Sequence, residues 1–470
     1  MDQLNYNKAT SITFLELEKI CGKGNVSTDK EQLEKYGQDE TEDLIYHAEI
    51  VVKPQTTQQI SAIAKLCSSQ KIPLTTRGAG TGLSGGALPV YGGVLLSMEK
   101  FNKILQIDER NLQATVEPGV INYIFQEEVK KLGLFYPPDP ASWGSCSLGG
   151  NIAHSSGGPK AVKYGTTRDY VLNLEIVLPT GEIMWTGANT LKYSTGYNLT
   201  HLMVGSEGTL GIVTKIVFKL IPLPKHDLLM LIPFKKAEDA CEAVGAVFRA
   251  GITPSAMEFM ERDAIDWSIK FAGEVNFEIK EEWQALLLVE VDGNNLDVLM
   301  QDCETIGTIT QAHNSDEILF ADSAEQKNAL WKIRRKVGEA VKSNSVYKEE
   351  DTVVMRAELP KLLKGVKEIG KKYGFKSVCY GHAGDGNLHV NIIKGELSDQ
   401  AWKEEVPKGI REIFELCKSL GGTISGEHGI GLVQKDYMNV VFSEHHLQLM
   451  KDLKKVFDPQ LILNPGKIFN

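Results

Sequence analysis

Four residues in the C-terminal third of the chain have types and spacing suited to metal chemistry. The stretch SVCYGHAGDGNLHVNII (377–393) carries His382 and His389 on either side of a Gly- and Asp-rich turn, Ala383 to Gly386. Such a turn between two apolar runs predicts a β-hairpin. Strand alternation then puts Asn387, His389 and Asn391 on one face and Leu388, Val390 and Ile392 on the other. With His382 opposite Asn387, the two imidazoles become diagonal neighbours able to share an ion. Glu427 and His428 sit among five glycines in GGTISGEHGIG (421–431), where backbone can approach a ligand closely. Two imidazoles and a carboxylate with positions left open suit a catalytic metal better than a closed structural one. His428 is then the candidate base, because imidazole titrates near neutrality. Taken singly, any of these histidines reads as a hydrogen-bonded structural residue, and that reading is kept for His201 and His313.

A substrate anion would need a cation. Arg334 in ALWKIRRKVGEAV (329–341) lies on the apolar stripe of Leu330, Val337 and Val341, so it is expected to point inward and to pair with an anion, either a ligand or a structural carboxylate. Lys348 in VYKEEDTVV is a weaker candidate, and Asn391 joins the set from the polar face of the hairpin.

A second constellation is RGAGTGLSGG (77–86), five glycines in ten residues. Backbone N–H groups in such a loop can turn inward around a pyrophosphate. Gly80, Gly82 and Gly85 spell G-x-G-x-x-G, but Gly86, Pro89, Gly92 and Gly93 forbid the helix that a Rossmann turn must open. A phosphate cradle of another fold is expected, since apolar strands flank the loop.

The elements that must position these groups follow from periodicity. A short helical lead-in spans 9–37; a helix capped at Thr56 runs to about Gln70; small strands and turns continue to Pro224. From His226 strands alternate with longer helices, among them a long helix ending near Val341, as in an α+β domain with mostly antiparallel pairing. IPLPKH, with two prolines, marks a boundary. The expected division is 1–222, 223–400 and a helical segment 401–470. The length of 470 residues accommodates several domains. The net charge of −10 argues against nucleic acid, and no run of about 18 apolar residues or basic leader suggests a membrane span or export. Seven scattered cysteines without a CxxC read as reduced buried thiols, not as ligands of an iron–sulfur cluster. A cytoplasmic location is expected, peripheral membrane association through a partner being left open.

Besides the glycine loop, FYPPDPAS (135–142), SLGGNIAHSSGGPKAVKYG (147–165) and VGSEGTLGIVT (204–214) stand in the order and spacing of flavoproteins of the vanillyl-alcohol oxidase type. The chain resembles their branch of D-lactate dehydrogenase, D-2-hydroxyglutarate dehydrogenase and the glycolate oxidase flavin subunit. The resemblance implies a two-subdomain FAD-binding domain, a ferredoxin-like α+β substrate domain and a helical C-terminal segment. It puts FAD on Arg77, Gly78, Ala79, Gly80, Thr81 and Gly82, with further contacts from Pro138, Asp139, Ser142, Gly149, Gly150, Ser155, Gly157, Gly165, Glu207, Gly211, Ile212 and Asn464. Some relatives attach the flavin covalently to a histidine where this chain has Thr81, so noncovalent FAD is implied. The resemblance also implies a divalent metal on His382, His389 and Glu427, Zn before Fe or Mn, and a substrate contact from Arg334. Hydride from the hydroxy acid Cα would pass to flavin N5, and an external acceptor (a quinone, an electron-transfer flavoprotein or an iron–sulfur subunit) would reoxidise the flavin. His154 receives no role, and Met355, where glycolate oxidase relatives carry proline, leaves the substrate subclass open, as is a homodimer. Competing readings are a flavin-free metal hydrolase, an electron-transfer subunit, and the FAD-dependent ether-lipid synthase.

Overall fold

The computed structural model describes residues 5–273 and 279–469. Two compact units emerge. One takes the chain to Gly157, then Thr166–Leu223 and the segment from Glu427; the other takes Gly158–Gly165 and Pro224–Gly426. The break at Leu223 and Pro224 falls in IPLPKH. The second break falls after Gly426, so the helix Val406–Ser419 belongs to the second unit and not to a separate C-terminal segment. Its buried face of Val406, Ile410, Ile413, Phe414 and Cys417 explains why: that stripe needs a partner, and the helix Leu359–Tyr373 of the same unit packs against it.

The first unit holds two main sheets. In one, Ile50–Val52, Val94–Ser97 and Leu74–Arg77 pair in parallel, with Val26–Ser27 added antiparallel. The helix Thr57–Gln70 covers this sheet. Thr56 caps it by accepting from the Gln59 amide, and Ile60, Ile63, Ala64 and Cys67 enter the core. The other sheet orders Ile104–Asp108, Gln113–Val116, Ile212–Lys219, Val171–Val177 and Ile183–Trp185, all antiparallel. The chain end returns to the first sheet: the Leu74 amide donates to Ile462 O (2.8 Å), and the Asn464 amide to Leu74 O (2.9 Å).

The second unit is built on a seven-stranded antiparallel sheet. Its spatial order is Leu319–Phe320, His226–Phe234, Ala285–Gly293, Ala256–Glu261, Lys376–Gly381, Asn387–Ile393 and Tyr347–Val353. The long helix expected to end near Val341 is two helices, Ala324–Arg335 and Val337–Asn344, broken at Lys336. All seven cysteines are buried free thiols, and burial pushes Cys67 and Cys379 up to about 12, so neither is a thiolate at neutral pH. Among the described residues no helix is long and apolar enough to cross a membrane.

Candidate active site

In the second unit the expected hairpin forms between Lys376–Gly381 and Asn387–Ile393, closed by a 3₁₀ turn at Ala383–Asp385. Tyr380 lies opposite His389, and the Asn387 amide donates to His382 O (3.2 Å). The two imidazoles meet edge to face, with ring centroids 5.3 Å apart. Strand alternation extends this polar face across the sheet. On one side Glu349 and Asp351 stand opposite Asn391 and His389; on the other Phe259 and Met260 pair with Gly381 and Tyr380, which brings Glu258 beside His382. Glu258 is fully buried, with Oε1 and Oε2 at 2.8 and 2.9 Å from His382 Nδ1. Arg334 points inward as its stripe predicts, 4% exposed, its Nη2 at 2.6 Å from Glu258 Oε2 and its guanidinium over the Tyr380 ring. Its Nε is buried with no hydrogen-bond partner, as is Asn391 Oδ1. Two polar atoms left so are what a bound polar ligand would satisfy. Burial, with Glu349 nearby, drives the Tyr380 phenol well above its usual pKa, so it stays neutral.

Lys348 does not join this face. It pairs with Ile392, one residue out of phase with Asn391, and so emerges on the opposite side of the sheet, where its ammonium lies over Trp402. The residues missed from the sequence are Glu258, Asp351, Glu349 and Tyr380. Glu258 had a signal: a lone acid inside the apolar run AMEFM must be paired if the strand is buried. Asp351 accepts from Asn387 Nδ2 (2.8 Å), Ser425 Oγ (2.9 Å) and the Gly426 amide (2.8 Å), anchoring the end of this unit to the histidine strand. Glu427 is the next residue, where the chain enters the first unit.

In the first unit the glycine loop follows Leu74–Arg77 and doubles back on itself. A Cβ at Gly78 would strike Ser147 Oγ and one at Gly80, whose φ is 77°, the Arg77 guanidinium. Ser147 Oγ accepts from the Ala79 and Gly150 amides, at 3.3 Å each, joining the loop to the start of the helix Leu148–His154. This tight, glycine-rich backbone fits a diphosphate cradle. Pro138 O is held by Asn122 and Gln126, Asp139 is buried, and the Ser142 carbonyl closes a turn on Cys146. Gly149 is pressed against Pro118, Ser155 takes φ 53° as the helix C-cap, and Gly211 leads into the buried Ile212.

Two assigned cofactor contacts have other work for their side chains. Glu207, at φ 53°, accepts from the Ile430 and Gly431 amides, both at 2.7 Å. Asn464 donates to Gly86 O (2.9 Å) and Glu207 O (2.8 Å). The Glu427 carboxylate accepts from the Gly157 amide (3.1 Å), and half-buried His428 follows it. His154 rests its ring against Gly86 and Gly429, with Nδ1 buried and without a hydrogen-bond partner. Gly165 lies in the second unit, capping Ala161–Tyr164.

Residues 48–187 match the FAD binding domain model, and residues 223–468 match that of the C-terminal domain of FAD linked oxidases. The chain belongs to the FAD-linked oxidases and is an FAD-dependent oxidoreductase, which removes the flavin-free hydrolase reading. It is 37% identical over 475 residues to a D-lactate dehydrogenase of Anaerostipes hadrus, covering 100% of this chain and 99% of that one. It is also 37% identical over 457 residues to the glycolate oxidase subunit GlcD of Bacillus subtilis strain 168, covering 97% and 96%. Among solved structures, p-cresol methylhydroxylase superposes with a TM-score of 0.80 at 19% identity, over 97% of this chain and 96% of that one. The fold is therefore of the vanillyl-alcohol oxidase type, as the ordered motifs implied.

Proposed function

We propose that this chain oxidises a small D-2-hydroxy acid, namely D-lactate, glycolate or D-2-hydroxyglutarate, to the 2-oxo acid. The observation that supports it most is the polar face of the second unit, where paired imidazoles stand beside a buried arginine with an unfilled Nε. When bound, FAD supplies the two-electron acceptor and a divalent metal the Lewis acidity that makes a substrate hydroxyl easier to deprotonate. His382, His389 and Glu427 are the metal ligands in this reading, an imidazole and carboxylate set that suits Zn, with Fe or Mn as alternatives. Arg334 receives the substrate carboxylate through its open Nε edge, a charge-assisted contact that also orients the Cα. His428 takes the hydroxyl proton. Asn391, on the same polar face, is a further contact of the bound acid, and the neutral Tyr380 ring lies against the Arg334 guanidinium. The diphosphate of FAD rests on Arg77–Gly82, held noncovalently because Thr81 cannot make the histidyl link. Electrons leave to an external acceptor.

His389→Ala tests the metal. The variant is expected to keep its yellow FAD spectrum while losing bound Zn and turnover together; a variant that still turns over at the parent rate contradicts the assignment.

A further inference from the structure

We infer that Glu258 is a positioning residue that sets the ligand tautomer of His382 and ties that imidazole to Arg334, an inference that rests on the metal reading above. Glu258 lies in the middle of Ala256–Glu261 with fully buried Met257 and Phe259 as neighbours, an environment in which a lone carboxylate would be costly. Two groups hold it. Arg334 supplies the balancing charge through Nη2 at 2.6 Å, and His382 Nδ1 lies within 2.9 Å of both oxygens. A carboxylate has no proton to give, so Nδ1 must carry the hydrogen and donate it. That leaves the lone pair on Nε2, and the two-oxygen contact fixes the ring plane. A carboxylate behind a ligating histidine raises its basicity and holds its orientation. Because the same carboxylate grips Arg334, one buried residue aligns the group proposed to hold the metal with the group proposed to hold the substrate carboxylate.

A purely structural account is that Glu258 only docks the helix Ala324–Arg335, as Glu290 does by accepting from Trp331 Nε1 at 3.1 Å. Titration of Zn²⁺ into the FAD-loaded, metal-stripped protein against a competing chelator separates the two. For Glu258→Gln the Zn²⁺ affinity is expected to fall on the order of 10- to 100-fold, with FAD absorbance unchanged. The double variant Glu258→Gln/Arg334→Met removes both buried charges, so it stays foldable even if the single variant does not, and its affinity is expected to remain low. Recovery of parental affinity in the double variant would reduce Glu258 to a counter-charge and overturn the inference. Equal affinity in parent and Glu258→Gln would overturn it too while leaving the metal reading intact. A parent protein that takes up no Zn²⁺ would defeat the metal reading and this inference with it.

Discussion

Arg334 is the buried cation of the candidate site, its guanidinium packed over the Tyr380 ring. Its place on an apolar stripe announced an inward guanidinium in need of an anion, and both readings of that anion have support: Glu258 occupies Nη2, while Nε is buried and without a partner. Arg334→Met should therefore lower kcat/KM by roughly 10- to 100-fold, the equivalent of about 1.5–3 kcal/mol for hydrogen bonds to a charged group, mainly through a higher KM for the hydroxy acid. Steady-state kinetics check it, and an unchanged KM would assign the arginine to the ion pair alone. Lys348 was less legible because one step of strand register decides its face, and nothing in VYKEEDTVV sets that step without the partner strand.

At the scale of elements, the histidine hairpin was readable because turn chemistry and alternation agree. Gly386 supplies φ 76° at the corner, where an added Cβ would collide with the Val354 carbonyl. Gly386→Ala should cost about 1–3 kcal/mol, seen as a lower urea midpoint, and should weaken Zn²⁺ uptake because the turn sets the spacing of the two imidazoles; wild-type values in both measurements would contradict this. The strand Tyr347–Val353 was not foreseen. Three acids in seven residues, Glu349, Glu350 and Asp351, look like a solvated loop until the sheet buries Glu350 and Asp351 and partly buries Glu349 beside His389. The apolar stripe of Leu330, Val337 and Val341 predicts one continuous helix, but the backbone breaks at Lys336 into two.

At the scale of the molecule, the flavin-binding architecture was legible from four ordered motifs, whereas the division into units was only partly so, because the short stretch Gly158–Gly165 and the helix Val406–Ser419 owe their membership to contacts distant in sequence. Lys160 and Lys163 pair with Glu290 and Asp292 of the seven-stranded sheet, a link invisible along the chain. In the first unit the C-terminal tail is pinned by Lys467, which donates to Leu88 O (2.6 Å) and whose burial pushes its pKa down to about 7 from 10.5. Below pH 7 the lysine is protonated both folded and unfolded, and its burial opposes folding in full. Between about 7 and 10.5 the unfolded chain binds the extra proton, so this group's cost is relieved as pH rises. Urea midpoints of Lys467→Met should therefore exceed those of the parent most at pH 7, with the gap narrowing by pH 9; a gap that stays constant would contradict the buried-lysine account. The central claim, a D-2-hydroxy acid as the electron donor to the flavin, is tested most directly by mixing the oxidised protein anaerobically with D-lactate, L-lactate, glycolate and D-2-hydroxyglutarate while following flavin absorbance. The account predicts rapid bleaching by one or more of D-lactate, glycolate and D-2-hydroxyglutarate and none by L-lactate; a flavin that stays yellow with all four would contradict it.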